Sequence, residues 1–213
     1  MSRRRKTSRG NPATSSESTR RVNAPLRQAR RRAAEGTQSN PRMLVYALLV
    51  TTIFLFAYLH LFALPQMTQF TGGFSMPDVR ITGYDAADIE RLQSVMDDAA
   101  AGQLNFLHKT AGILFPVSFF LTTWAVVGLM MREGVLRWLL LAAAGLYSAM
   151  DIAENFLIDE ILVSDPVDAA MVNTASALTV SSWLLFAVVG SALILSVITA
   201  MVRRSVERTA RPL

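Results

Sequence analysis

No cysteine occurs anywhere in this chain, which excludes disulfides, thiol catalysis and cysteine-ligated metals. Histidine is nearly absent as well, with two in 213 residues, and charged residues make up only 17%, against about a quarter in ordinary soluble chains. The sequence also has no glycine-rich phosphate loop, no GxSxG elbow and no HExxH-type spacing, so the commonest hydrolase and nucleotide chemistries have no visible foothold. Alternating apolar and polar residues, the mark of a membrane barrel, are missing too. Hydrophobic residues are abundant, at 52%, and such a composition belongs to the membrane class.

Apolar runs occupy 43–64, 110–131, 135–158 and 174–202. A helix needs roughly 20 residues to cross the hydrocarbon core, and each run is long enough. Backbone groups in lipid must be satisfied within their own segment, so the spans are expected to be helices, forming an all-α four-helix transmembrane bundle. The tail 1–42 holds twelve Lys and Arg residues against Glu17 and Glu35. It has little to bury and is expected to be disordered, attracted to anionic lipid headgroups and useful in fixing topology. Nucleic acid is a weaker reading, because no aromatic residues interleave with the arginines to stack on bases. The leading arginine cluster stands too far from the apolar run at Met43 for a signal peptide, so an uncleaved first span is expected.

Orientation follows from arginine. The basic tail, the turn with Arg132 and Arg137, and the segment 203–213 with Arg203, Arg204, Arg208 and Arg211 are expected on the cytoplasmic side. The loop 65–109 and the shorter loop with Asp159, Glu160, Asp165 and Asp168 are acidic and belong outside. A multi-pass protein of a bacterial plasma membrane with both termini cytoplasmic is the expected placement. Within the outer loop, Pro65 to Thr82 reads as irregular chain, with Gly72, Gly73 and Pro77. Asp85 followed by Asp88 resembles a capping box with a shorter acid, and Ile89, Leu92, Val95, Met96 and Ala99 recur at helical spacing opposite Glu90, Asp97 and Asp98. One amphipathic cap helix over about Ala86 to Ala101, closed by Gly102, is predicted.

The stretch YSAMDIAENF places carboxyl groups inside an apolar span. Asp151, Glu154 and Asn155 share one helix face, with Tyr147 one turn before them. Counting rise per residue puts Asp151 roughly 6 Å and Glu154 roughly 10 Å outward of the midplane. Acids at that depth are costly and turn toward the bundle interior. His60, Ser181, Ser182, Ser118 and the helix-breaking Pro116 fall at a similar level, and His108 and Lys109 stand just above it. Pro116 frees a backbone carbonyl that a neighbouring polar group must satisfy.

A polar pocket opening outward is therefore expected, formed by His60, His108, Lys109, Tyr147, Asp151, Glu154, Asn155 and Ser181. Three uses compete for it. The carboxyls hold helices together; or they bind a small ligand, headgroup or ion, or relay protons; or His60, His108, Asp151 and Glu154 act as metal ligands of a membrane enzyme. The weight falls on a non-enzymatic scaffold, accessory or ligand-binding protein, with a transporter or proton relay on Asp151 and Glu154 as alternative, and a metal-dependent enzyme behind it. No cofactor follows from the residues. The small-residue pairs Ala144/Ser148, Gly145/Ala149, Ala187/Ser191 and Ala192/Ser196 are expected to draw the third and fourth spans together, or to serve a homodimer or another membrane partner.

The order Thr82-Gly83-Tyr84, Phe115-Pro116 and Asp151-Ile152-Ala153-Glu154-Asn155 resembles a set of small four-span bacterial membrane proteins with no known activity. Members often carry an acid three residues before the Phe-Pro and a tyrosine three after the proline; here Gly112 and Phe119 stand there. The resemblance implies a fold and no reaction.

Overall fold

The structure is a computed structural model that describes residues 41–131 and 133–209. The expected tail 1–42 lies outside the described residues except for its last two. Among the described residues every regular element is helical, and four helices are long and apolar enough to cross a membrane. In chain order these elements are α1 (Pro41–Ala57), a π-helical segment (Tyr58–Ala63), α2 (Leu64–Phe70), a 3-10 turn (Pro77–Val79), α3 (Ala86–Val95), α4 (Asp98–Lys109), α5 (Ala111–Met130), α6 (Val135–Ile161) and α7 (Ala169–Thr209).

The first span continues past the expected loop boundary. Pro65 lies within this continuing helix rather than in irregular chain, where it has no N–H to give to the preceding turn. Just before it the ladder widens, and the Leu64 N–H reaches back to the Leu59 carbonyl five residues earlier. Such single π turns reorient side chains. Here the turn carries His60.

The cap helix is two helices, which corrects the single one expected over Ala86 to Ala101. The capping box forms, with Asp88 N–H donating to the Asp85 carboxylate at 2.9 Å and Asp85 N–H to that of Asp88 at 3.2 Å. The chain then breaks at Met96, whose backbone is extended. Asp97 accepts from the Ala100 N–H at 2.7 Å and starts α4, so a residue that looked like part of a polar face is an N-cap. Gly102 lies inside α4 and closes nothing.

Two apolar cores result. The larger joins the spans through Leu104, Phe115, Phe119, Val126, Tyr147 and Val189; the smaller ties Tyr84 and Ile89 to Ile161, Val172 and Ala175 at the loop end. Ala144 and Ser148 are buried against the second span, with Ser148 donating to the Pro116 carbonyl at 2.8 Å, while Ala187 and Ser191 are exposed. Ser148 thus seats α6 on α5, while α6 packs most extensively against α7, the third and fourth spans drawn together as expected. Long apolar side chains such as Phe54, Phe62, Trp138, Leu184 and Ile194 face outward, as a lipid-exposed surface requires.

Candidate functional site

Beneath the loops at one end of the bundle lies a cavity of about 40 Å³. Its polar lining comes from Asp78 on the 3-10 turn, His60 on the π turn, His108 on α4, Asp151 and Glu154 on α6 and Ser182 on α7. Aromatic rings close it below. Phe56, Phe115 and Phe186 pack on one another with centroids 5.4–5.9 Å apart, and Tyr147 joins them at 5.6 Å from Phe186. Trp183 stands edge-on to His60 at 5.2 Å, and His60 stacks on Phe56 at 4.4 Å.

Each polar side chain has a local reason for its place. Glu154 is 4% exposed and sits between two hydroxyls of α7: Thr179 donates to Oε1 at 2.6 Å, and Ser182 lies 3.1 Å from Oε2. Asp151 faces the cavity one turn away, beside the Tyr147 phenol. Asn155 answers the problem set by Pro116. The carbonyl deprived of its helical partner is that of Gly112, and the Asn155 amide donates to it at 3.1 Å. A Cβ on residue 112 would stand 3.0 Å from that amide nitrogen, so glycine permits the approach.

His108, 4% exposed, is held at both ends. Its Nδ1 lies 2.6 Å from Asp159 Oδ1 and its Nε2 2.9 Å from Asp78 Oδ1. A carboxylate only accepts, so both bonds to ionised partners require both ring nitrogens to carry hydrogen, making the ring an imidazolium. Asn105 adds a bond to Asp159 Oδ2 at 2.7 Å. Burial works against ionisation of Asp78, but the neighbouring His108 charge and hydrogen bond outweigh it and hold the carboxyl below its ordinary value of 3.8.

The segment bearing Asp78 is fastened over the cavity. Trp183 Nε1 donates to the Asp78 carbonyl at 2.9 Å, and Arg80 pairs with Asp88 at 2.8 Å. The hydrogen bond from Arg80 holds the Asp88 carboxyl low. The chain then turns at Gly83, with φ +86°, and the Tyr84 N–H donates to Ser176 Oγ at 2.9 Å. A Cβ at residue 83 would meet that oxygen at 2.7 Å. Burial pushes the Tyr84 phenol up, so it stays protonated.

Of the residues singled out in the sequence, His60, His108, Tyr147, Asp151, Glu154 and Asn155 line this one cavity. Lys109 and Ser181 do not: Lys109 is exposed, and Ser181 borders a surface groove beside Tyr84 while Ser182 takes the inward position. No group of three or more His, Asp or Glu side chains able to hold a metal exists among the described residues. Asp78, Asp159, Thr179 and Trp183 were not singled out. Asp78 sits on a short turn with no periodicity to mark it; Asp159, read from the sequence as part of the acidic loop, lies within α6 one turn beyond Asn155 on the same face, and Thr179 shares a face with Ser182 only through the i, i+3 spacing. The chain matches no family model, no curated protein and no solved structure.

Proposed function

We propose that this multi-pass membrane protein is a non-enzymatic binding protein that holds a small ligand in the polar cavity, reached from the outer face of a bacterial plasma membrane. One observation carries the reading: Asp78, His60, Asp151 and Glu154, drawn from three separate segments, converge on a single small space inside a bundle whose outer surface is apolar. Helix adhesion alone needs pairwise polar contacts and gives no reason for carboxyls to share a void. The arginine distribution supports the outward placement.

Two measurements test it. Protein purified in native membrane patches is expected to release a small molecule or ion, identified by mass spectrometry, that Asp151→Asn protein lacks while retaining its fold. Full occupancy by water alone in both proteins overturns the reading. For orientation, a cysteine placed at Asp165 in this cysteine-free chain should react with a membrane-impermeant maleimide in intact cells; protection there, with labelling only after lysis, reverses the topology.

A second reading has its own observation. His108 joins Asp159, which borders an outer groove with Asn105, to Asp78 in the cavity, a hydrogen-bonded route by which protons reach Asp151 and Glu154. Its mark is slower exchange of those carboxyls in His108→Gln protein after a pH jump, followed by infrared spectroscopy.

A further inference from the structure

The cavity's chemistry selects among small ligands, an inference that rests on the binding role just proposed. Space comes first. About 40 Å³ holds a ligand of a few non-hydrogen atoms, since one water needs about 10–15 Å³ of such space. Whole sugars and nucleotides are too large.

Charge comes second. Three carboxyl-bearing residues, Asp78, Asp151 and Glu154, line the space, and no lysine or arginine does. The one imidazolium required by geometry, His108, already lies between Asp78 and Asp159, so its charge is matched. Buried carboxylates without a counter-charge are costly, and a positive ligand offsets that cost. An anion would add to it.

Hydrogen bonding comes third. Glu154 and Asp78 Oδ1 have donors, but Asp78 Oδ2 is shut off from solvent with no partner. An acceptor left bare beside a cavity calls for a ligand that donates. The apolar lining includes the rings of Phe56, Phe115, Phe186 and Trp183 beside Leu59, Leu64 and Leu107, and aromatic rings attract cations through their quadrupoles. A bare metal ion instead needs a closed shell of oxygens, and the residues do not gather into one.

We infer that the cavity binds a small ammonium-type cation, ammonium or a primary methylamine, with N–H groups directed at the carboxyls and its remaining surface against the rings. Asp151 and Glu154 provide the charge. Asp78 and the turn that carries it close the site from above.

Calorimetry on the full chain in lipid nanodiscs tests this. Ammonium chloride and methylammonium chloride are titrated at constant ionic strength, beside sodium chloride, formamide as a neutral analogue and sodium formate as an anion. Saturable binding of ammonium or methylammonium is expected, absent for sodium and formate, and weakened at least about tenfold by Asp151→Asn, where a charge-assisted bond is lost. Glu154→Gln is expected to act in the same direction; because Glu154 is buried, helical circular dichroism and gel filtration accompany it, and Asp151→Asn decides if it misfolds. Tetramethylammonium, too bulky and without N–H groups, is expected not to bind. Preferential binding of formamide or formate overturns the cation assignment and leaves the pocket a binding site. Failure of every probe, together with no retained ligand by mass spectrometry, removes both.

Discussion

The two ends of the helical bundle are built on different principles. At the loop end, buried polar groups find partners far away in the chain: Glu154 with Thr179, His108 with Asp78 and Asp159, Tyr84 with Ser176, Gln93 with the carbonyls of Ile161 and Ser164. Toward the opposite end the helices meet through apolar side chains and small residues, and outward-facing Val135, Leu136, Trp138 and Leu139 cover the surface. A shared polar contact among side chains below the aromatic floor joins Thr52 to Ser118 and Thr122. One end is held by specific pairs, where each loss strands a partner; the other by contacts that tolerate exchange.

The largest effect expected from breaking this contrast is at His108. His108→Ala leaves Asp78 and Asp159 facing each other without a cation, and removal of one partner from a buried ionic cluster costs about 3–5 kcal/mol. Thermal unfolding in detergent measures it. The same pair predicts a pH dependence. Because the Asp78 carboxyl is held below 3.8 in the folded chain, its contribution is fully present above about pH 4 and is lost as pH falls through its folded value. The wild-type advantage over His108→Ala is expected to hold down to about pH 4 and to shrink as pH falls further. A constant difference through that fall rules out the ion pair as its source.

Next in size stands Gly83. Substitution by alanine forces a side chain into a left-handed conformation, at about 1–3 kcal/mol, and drives its Cβ against Ser176 Oγ. Gly83→Ala together with Ser176→Ala sharpens the point: relief of the contact recovers part of the loss, and the strain at φ +86° remains. Full recovery in the double variant assigns the whole effect to the clash. A smaller effect, about 1 kcal/mol, is expected from Asp85→Ala, which removes one half of the capping box on α3 and is read from hydrogen exchange of that helix.

How much of this is written in the sequence differs between the ends in the same way. Hydropathy alone marks the four membrane-capable helices, because burial in lipid is a property of each segment by itself. The Asp85 box is visible for the same reason: both partners lie within one turn. Asp97 is ambiguous in sequence, since a lone aspartate serves equally as a solvated face or as an N-cap and only the chain's break at Met96 decides. The stripe of Asp151, Glu154 and Asn155 is legible, and so is the carbonyl freed by Pro116; that Asn155 answers it depends on the rotation of α6 against α5, which periodicity does not encode. Ser181 and Ser182 are a case of the same ambiguity, one residue and about 100° of helix apart. Asp78 was invisible because its position is set by the turn after Met76 and the reach of Trp183, not by any repeat.

The smallest effect is expected at Thr52, and it bears most directly on the comparison. Its Oγ1 lies 2.8 Å from Ser118 Oγ and 2.7 Å from Thr122 Oγ1, a buried triad that on paper looks as costly to disturb as the loop-end network. Two features argue otherwise. Serine and threonine in a helix can turn to their own backbone carbonyls one turn back, as Thr123 does with Phe119 at 2.8 Å, so neither partner need be stranded. Thr52→Val also conserves shape, and interhelical hydrogen bonds in membranes average about 0.6 kcal/mol. A loss of that order in thermal unfolding, beside the several kcal/mol at His108, separates exchangeable hydroxyl contacts from a charge that no backbone group can replace. Should Thr52→Val cost as much as His108→Ala, the hydroxyl triad would be a second specific lock, and the division between the two ends would lie in depth rather than in kind.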